Sequence, residues 1–395
     1  MSKRSIYDLD VKGKRLFVRV DFNVPLNAGQ IRDDTRIRSA LPTLQYALEQ
    51  GASLVLASHL GRPKGQRTAE FSLKPIAIRL SELLDRPVEF ANNCIGPEAF
   101  QTIKQAGQNG VTLLENLRFH EEEENNDPIF SASLASLADC YVNDAFGSAH
   151  RAHASTTGIL SYLSDAAAGL LLTRELKYLG ALLDNPARPF TAILGGSKVS
   201  GKLEVIKNLL PRVDTLLIGG AMSYTFFKAR GLSTGQSLVE PELVNATREI
   251  EKEAKIHQVN LMLPCDHLVA TALDADATHE NLAVDANDIG ARIGVDIGPK
   301  TQQAYAETIE KSATVVWNGP MGVFEILPFS SGTLAVATAV AASTGTTVVG
   351  GGDSVSAVGQ MSVADQITHI STGGGASLEF LGGTTLPGVA VLPNT

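Results

Sequence analysis

Phe190-Thr191-Ala192-Ile193-Leu194-Gly195-Gly196-Ser197-Lys198-Val199-Ser200-Gly201-Lys202 is a five-residue apolar run that empties into glycines. A segment with helical periodicity, 203–210, comes next. A short apolar run bounded by turn residues reads as a strand covered on both faces, and the helix after it as the crossover to a parallel neighbour. The unit recurs in both directions along the chain. Towards the N-terminus, strands are expected at 16–20, 53–57, 111–114 and 140–143, with amphipathic helices at 37–50 and 73–84. Towards the C-terminus, strands are expected at 215–218, 314–317, 346–349 and 368–370, with helices at 243–256 and 302–311. Strands that alternate with helices predict an α/β chain with parallel sheets.

The chain has 395 residues, more than one such sheet needs, so two or three domains are expected. Segment 173–184 reads as a helix with Leu172, Leu176, Leu179 and Leu183 on one stripe, and Asn185-Pro186 and Arg188-Pro189 stop it. The expected organisation is two Rossmann-like, doubly wound parallel-sheet domains joined by a helix. The first covers 1–172, a helix and linker 173–188, and the second 189–383, with 384–395 returning to the first.

Composition narrows the function. The net charge is −9 and no basic stripe is visible, which argues against nucleic acid as a partner. Between Glu325 and Asp353 there is no charge, but Pro328, Gly332 and Gly345 interrupt the run. A helix at 332–342 followed by a strand at 346–349 explains it, so no membrane span is expected. Cys94, Cys140 and Cys265 form no Cys-x-x-Cys pair, and the N-terminus carries no apolar stretch. A reducing, cytoplasmic location follows as the expectation. His120-Glu121-Glu122-Glu123-Glu124-Asn125-Asn126-Asp127 reads as a solvated, charged loop. Met222, Phe226 and Phe227 read as the core face of a helix.

Open parallel sheets bind ligands beyond the carboxyl ends of their strands. In the first half those exits are cationic. Asp21-Phe22-Asn23-Val24-Pro25 follows the first strand, with Arg36 further on. Ser58-His59-Leu60-Gly61-Arg62-Pro63 follows the second, Glu115-Asn116-Leu117-Arg118 the third, and Asp144-Ala145-Phe146-Gly147-Ser148-Ala149-His150-Arg151 the fourth. One arginine alone would read as a surface ion pair. Four arginines and a histidine at equivalent exits favour a small anion, since the guanidinium fork matches phosphate and carboxylate oxygens. His150 and His153 lack an evident third ligand for a metal.

In the second half the exits are glycine. Beyond Gly195 and Gly196 come Gly219-Gly220, Asn318-Gly319-Pro320-Met321-Gly322-Val323-Phe324-Glu325, Gly350-Gly351-Gly352-Asp353-Ser354 and Ser371-Thr372-Gly373-Gly374-Gly375. Glycine lets backbone N–H groups approach phosphates at a helix start. A single pair would mark only a tight turn; five such exits favour a nucleotide. Residues 196–202 follow the phosphate-loop spacing up to Lys202, but Leu203 replaces the Ser or Thr that would hold magnesium.

Taken in order, Val20-Asp21-Phe22-Asn23-Val24-Pro25, Ser58-His59-Leu60-Gly61-Arg62-Pro63, Asn143-Asp144-Ala145-Phe146-Gly147, Asn318-Gly319-Pro320, Gly350-Gly351-Gly352-Asp353 and Ser371-Thr372-Gly373-Gly374-Gly375-Ala376-Ser377-Leu378-Glu379 resemble the signatures of the phosphoglycerate kinase family. The resemblance runs from residue 20 to 379. It implies a cleft between the two domains, hinge closure and a monomer. It also implies a magnesium-dependent, reversible transfer between 1,3-bisphosphoglycerate and ADP that gives 3-phosphoglycerate and ATP.

The resemblance assigns the triose to Asp21, Asn23, Arg36, His59, Arg62, Arg118 and Arg151. Nucleotide phosphates fall to Lys198 and Lys202, the ribose to Glu325 and the adenine to Gly219, Gly220 and Gly294. Asn318, Gly350, Gly351, Gly352 and Ser354 are expected at the same nucleotide site, with Asp353 on Mg²⁺. Arg36, Lys198 and the backbone of Gly373 and Gly374 are the expected catalytic groups. Gly201, Ser354 and Cys265-Asp266-His267 depart from the family's usual residues.

Overall fold

The computed structural model describes residues 3–286 and 288–395. It divides into two compact units: the chain up to Lys177 together with Thr385–Thr395, and Tyr178–Thr384. Each has its own sheet and its own core.

In the first unit the strands are β1 Arg15–Val20, β2 Ser53–Ala57, β3 Glu89–Ala91, β4 Val111–Leu114, β5 Cys140–Asp144 and β6 Ala166–Ala168. They form one parallel sheet in the order β3-β4-β2-β1-β5-β6. Leu16 lies between Leu54 and Cys140, so apolar side chains align in register across the centre of the sheet. Leu16, Val18, Leu54, Leu56 and Val142 bury one face with Ile37 and Leu44 of α1 (Thr35–Glu49) and Ile76 and Leu80 of α2 (Lys74–Leu84). From β1 the chain winds outward to β2, then returns past β1 to β5. The carboxyl ends of β1 and β5 therefore flank the switch point. The C-terminal segment is tied to this unit: Asn143 Nδ2 donates to Gly388 O at 3.0 Å and Lys3 Nζ to Leu392 O at 2.8 Å.

In the second unit β7 Phe190–Leu194, β8 Thr215–Ile218, β9 Asn260–Met262, β13 Thr314–Asn318, β14 Thr346–Gly350 and β15 His369–Ile370 form a parallel sheet in the order β9-β8-β7-β13-β14-β15. The switch point lies between β7 and β13. Val315, Trp317 and Val349 pack against Tyr305 and Ile309 of α3 (Pro299–Glu310) and Val336 and Val340 of α4 (Ser331–Ala342). Met222, Phe226 and Phe227 are buried, as read from the sequence.

Strand and helix boundaries at the sheet centres fall within one or two residues of expectation, with reasons at the exceptions. Strand 140–143 extends to Asp144, 314–317 to Asn318 and 346–349 to Gly350. Helix 302–311 instead begins at Pro299, because the Asp266 carboxylate accepts from Lys300 N at 2.9 Å and Thr301 N at 2.8 Å and caps it. Two expectations need larger correction. The charge run 120–127 is not a solvated loop: Glu121–Glu124 forms a short helix and Glu123 is fully buried. A second, antiparallel sheet was not foreseen: β10 Asp266–Ala270 pairs with β11 His279–Ala283 and β12 Ile293–Ile297. β11 is almost wholly exposed and polar, so no apolar alternation announces it.

The helix expected at 173–184 starts at Leu170. Asp144 explains the extra turn: its Oδ1 accepts from Leu171 N at 2.9 Å and Leu172 N at 3.2 Å. Gly169 leaves room for that carboxylate, since a Cβ there would lie 2.2 Å from Oδ1. Asp144 Oδ2 is buried without a partner among the described residues, and burial pushes the carboxyl up from 3.8 to about 6. The unfolded chain releases this proton near 3.8 and the folded chain near 6, so stability falls as pH rises through that window. Asp144→Asn should remove that slope, worth about 3 kcal/mol across the interval. Urea unfolding of both proteins between pH 4 and 7 measures it, and parallel pH profiles would contradict the burial account.

Candidate active site

The first unit gathers its cations at the ends of β1, β2, β4 and β5. Asp21, just past β1, is 6% exposed, and its Oδ2 accepts from Arg36 NH1 at 2.9 Å. That bond fixes a half-buried guanidinium at the first turn of α1 and leaves its other nitrogens for a ligand. Asn23 turns inward as well: its Oδ1 accepts from Gly61 N at 2.9 Å. Gly61 O in turn accepts from Arg118 NH1 at 2.8 Å. The loops after β1, β2 and β4 are thus laced by one chain of hydrogen bonds. Gly61 has φ +61°, and a Cβ there would lie 2.3 Å from the Phe71 ring, so the turn depends on glycine.

His59 lies within this cluster and is 6% exposed. Burial, and then the guanidinium groups of Arg19, Arg118 and Arg36, hold its imidazole well below the usual range. The ring is therefore neutral at pH 7. Burial also lowers Arg118, whose Nε stands 3.4 Å from Glu124. Arg62 and Arg151 are exposed and form no salt bridge among the described residues. The sequence-derived set is thus of two kinds: Asp21, Asn23, Arg36, His59 and Arg118 are locked together, while Arg62 and Arg151 reach into solvent.

The second unit builds its site from backbone. Gly195 N donates to Asn318 O at 3.0 Å, Gly196 N to Pro320 O at 2.9 Å, and Gly220 N to Met321 O at 2.9 Å. Three strand exits are stitched to one another with no space for side chains. A Cβ on Gly195 would lie 2.1 Å from Pro320 O, and one on Gly219 would lie 2.3 Å from Met321 Sδ. Beside them Asn318 Oδ1 accepts from Lys202 Nζ, and Gly319 N donates to Ser354 Oγ at 2.6 Å. Burial pulls the Lys202 ammonium down to about 8, against the opposing charge of Asp353. Lys198, Glu325 and Asp353 are exposed. Gly351 has φ +91° and lets the chain enter α5 (Gly352–Gln360), whose first turn carries Asp353. At the 371–375 turn, Gly374 has φ +49° and precedes the helix Gly375–Leu381, while Gly373 N is engaged by Ser371 Oγ at 3.2 Å.

A cavity of about 270 Å³ opens beside these turns, bordered by Gly196, Gly220, Gly294, Pro320, Glu325 and Asp353. Its inner wall holds groups that the sequence reading did not assign to the site. Tyr224 Oη is 2.6 Å from His267 Nδ1, and the two rings stack at 5.7 Å. A Cβ on Gly294 would lie 1.6 Å from Tyr224 Oη, so glycine there is a condition of the wall. Asp296, pushed up to about 7 by burial, accepts from Gly332 N at 2.6 Å and caps α4. The unusual His267 is a visible signal; Asp296 carries none because it lies on the unexpected antiparallel sheet, and Tyr224 none because it sits on a core-packing helix.

A family model described as phosphoglycerate kinase matches residues 6–384. A protein of that name from Solibacter usitatus is 57% identical over 99% of this chain and 100% of its own length. One from Chlorobium luteolum is 55% identical over 99% of this chain and 100% of its own. Among solved structures, the phosphoglycerate kinase of Coxiella burnetii matches with TM-score 0.89 at 42% identity, covering 98% of both chains. That of Pyrococcus horikoshii matches with TM-score 0.87 at 34% identity, again over 98% of both.

The state of Lys202 is open to measurement. Labelling by a small amine reagent, followed peptide by peptide, should show a midpoint near pH 8 at Lys202. A midpoint near the ordinary lysine value of about 10.4 would show that its ammonium is not desolvated.

Proposed function

Because the chain belongs to the phosphoglycerate kinase family, we propose that it moves a phosphoryl group reversibly between 1,3-bisphosphoglycerate and ADP, giving 3-phosphoglycerate and ATP. The observation that carries the reading is the division of labour between the units. One holds side-chain cations around a neutral histidine; the other holds glycine turns beside a cavity of about 270 Å³ bordered by Glu325 and Asp353. In this reading the triose sits on Asp21, Asn23, Arg36, His59, Arg62, Arg118 and Arg151. The nucleotide sits on the glycine turns with Lys198, Lys202, Asn318, Glu325, Asp353 and Ser354.

The acceptor oxygen of 3-phosphoglycerate belongs to a carboxylate already ionised at neutral pH, so no general base is needed. What remains is in-line positioning and stabilisation of a loose phosphoryl group. Arg36, oriented by Asp21, and Lys198 would hold the transferring oxygens; the backbone at Gly373 and Gly374 would contribute fixed dipoles. Lys202, dry and held by Asn318, would meet the nucleotide phosphates at a partial proton cost near neutrality.

Magnesium fits the donor set. Among the described residues no three His, Cys, Asp or Glu side chains cluster as a metal cage, while Asp353 offers one exposed carboxylate at a helix start. One carboxylate plus substrate phosphates is how Mg²⁺ is ordinarily held. When bound, the ion would neutralise phosphate charge. Since each substrate belongs to a different unit, transfer calls for a hinge closure that also excludes water and protects the acyl phosphate.

A coupled assay that consumes ATP with 3-phosphoglycerate tests the reaction directly; no turnover of that pair would remove it. Arg36→Ala should lower kcat by about 10²-fold or more, the effect of losing one preorganised donor to developing charge. Near-normal kcat would take Arg36 out of the catalytic set. Small-angle scattering should contract only with both ligands present, and unchanged profiles would count against closure.

A further inference from the structure

Arg19 is the anomaly of the first sheet. It sits in the middle of β1, between Val18 and Val20, and is fully buried. A cation in such a place needs satisfied donors and a nearby negative charge. Arg19 Nε donates to Ser155 Oγ at 2.8 Å and NH1 to Val20 O at 2.5 Å. Ser155 passes the interaction on: its Oγ donates to Glu123 Oε1 at 2.5 Å and its N to Glu123 Oε2 at 2.9 Å. Glu123 is the fully buried member of the charge run. The third guanidinium nitrogen, NH2, stands 3.3 Å from His59 Nδ1.

The direction of that last bond follows from chemistry. A guanidinium has donors and no acceptor, so the imidazole nitrogen facing it must present a lone pair. The ring proton then resides on Nε2. We propose that Arg19, anchored through Ser155 to Glu123, is a positioning residue that fixes His59 as the neutral Nε2–H tautomer, so that the ring gives the triose a hydrogen-bond donor without a titrating charge.

The groups that face His59 act in the same sense. Arg19 acts on it from β1, Arg36 from α1 and Arg118 from the exit of β4, with His153 a further neighbouring charge. His153 is itself held down to about 4 by burial and then by the guanidiniums of Arg19, Arg118 and Arg151, and stands 3.9 Å from Glu123. A protonated His59 would add one more positive charge to this set. A neutral ring with Nδ1–H would point two donors at each other. The Nε2–H form is the one that accepts from Arg19 and still offers a donor to a ligand.

The role for the triose rests on the proposed function, but the tautomer can be read without substrate. Long-range ¹H–¹⁵N correlation on the full-length, histidine-labelled protein, with His59→Gln to assign the signal, should show Nε2–H and a bare Nδ1 through neutral pH. Adding 3-phosphoglycerate should move the Nε2 resonance more than Nδ1. A Nδ1–H or doubly protonated ring would overturn the inference even in an active enzyme. An Nε2–H ring in a protein without turnover would sink only the functional reading.

For kinetics, Arg19→Met combined with Glu123→Gln avoids a lone buried charge. Its His59, with no guanidinium facing Nδ1, should populate the Nδ1–H tautomer in the same correlation experiment, while burial, Arg118 and Arg36 still hold the ring low. KM for 3-phosphoglycerate should rise about threefold or more relative to the wild type at one pH, with kcat less affected. An unchanged Nε2–H ring in a folded variant would overturn the positioning role.

Discussion

A parallel sheet sends every strand out over the same edge, so the loops that leave it are forced into one another's company. Each unit of this protein has to resolve that crowding, and the two do so by opposite means. In the first, backbone bonds such as Leu117 N to Ser58 O are supplemented by side chains: Asp21 to Arg36, Asn23 to Gly61, Arg118 back to Gly61. In the second, the loops close to backbone contact, with Gly195, Gly196 and Gly220 bonded directly to residues 318–321. The first solution presents charge on adjustable arms. The second presents main-chain dipoles in fixed positions. A small acid with two anionic ends suits the former, and an extended polyphosphate suits the latter.

The cost of the first solution is buried charge, and the fold disperses it. Arg19 and Glu123 are both fully buried but do not touch; Ser155 bridges them. Burial raises the Glu123 carboxyl, and the Arg19 guanidinium and the two bonds from Ser155 act against that rise. Breaking such a linked pair by removing one charge typically costs about 3–5 kcal/mol, because the other is left uncompensated. Cation density at these strand exits is thus kept stable from beneath, by a fully buried carboxylate.

Much of this was readable from local pattern. Strands 53–57, 111–114, 190–194 and 215–218 agree to the residue, because an apolar run covered on both faces is a local signal with abrupt ends. The exits were readable for the same reason, since a turn at the end of a buried strand is marked by its glycines or arginines. What escaped depends on distant partners. Glu123 looks like its three neighbours; only Ser155, 32 residues on, selects it for burial. Tyr224 is not singled out beside Met222, Phe226 and Phe227, and becomes cavity wall only because His267 and Gly294 arrive on β10 and β12. Arg19 was visible as an arginine inside Leu16-Phe17-Val18-Arg19-Val20, but its meaning required the loop that brings Ser155 beneath it.

The two solutions also differ in how they fail. At Gly195, Gly219 or Gly294 any side chain meets the Pro320 carbonyl, the Met321 sulfur or the Tyr224 hydroxyl at 1.6–2.3 Å, so substitution there disturbs the fold before it disturbs a ligand. At Arg62 or Arg151 the side chain is exposed and loss of the guanidinium leaves the sheet intact. Lys202 falls between: its stem leaves the end of a glycine turn and its ammonium is partly dried by burial. The backbone-built site is therefore specified by what must be absent, and the side-chain-built site by what must be present. That difference accounts for why five glycine exits and four arginines, individually weak signals, point to two distinct anions rather than to one.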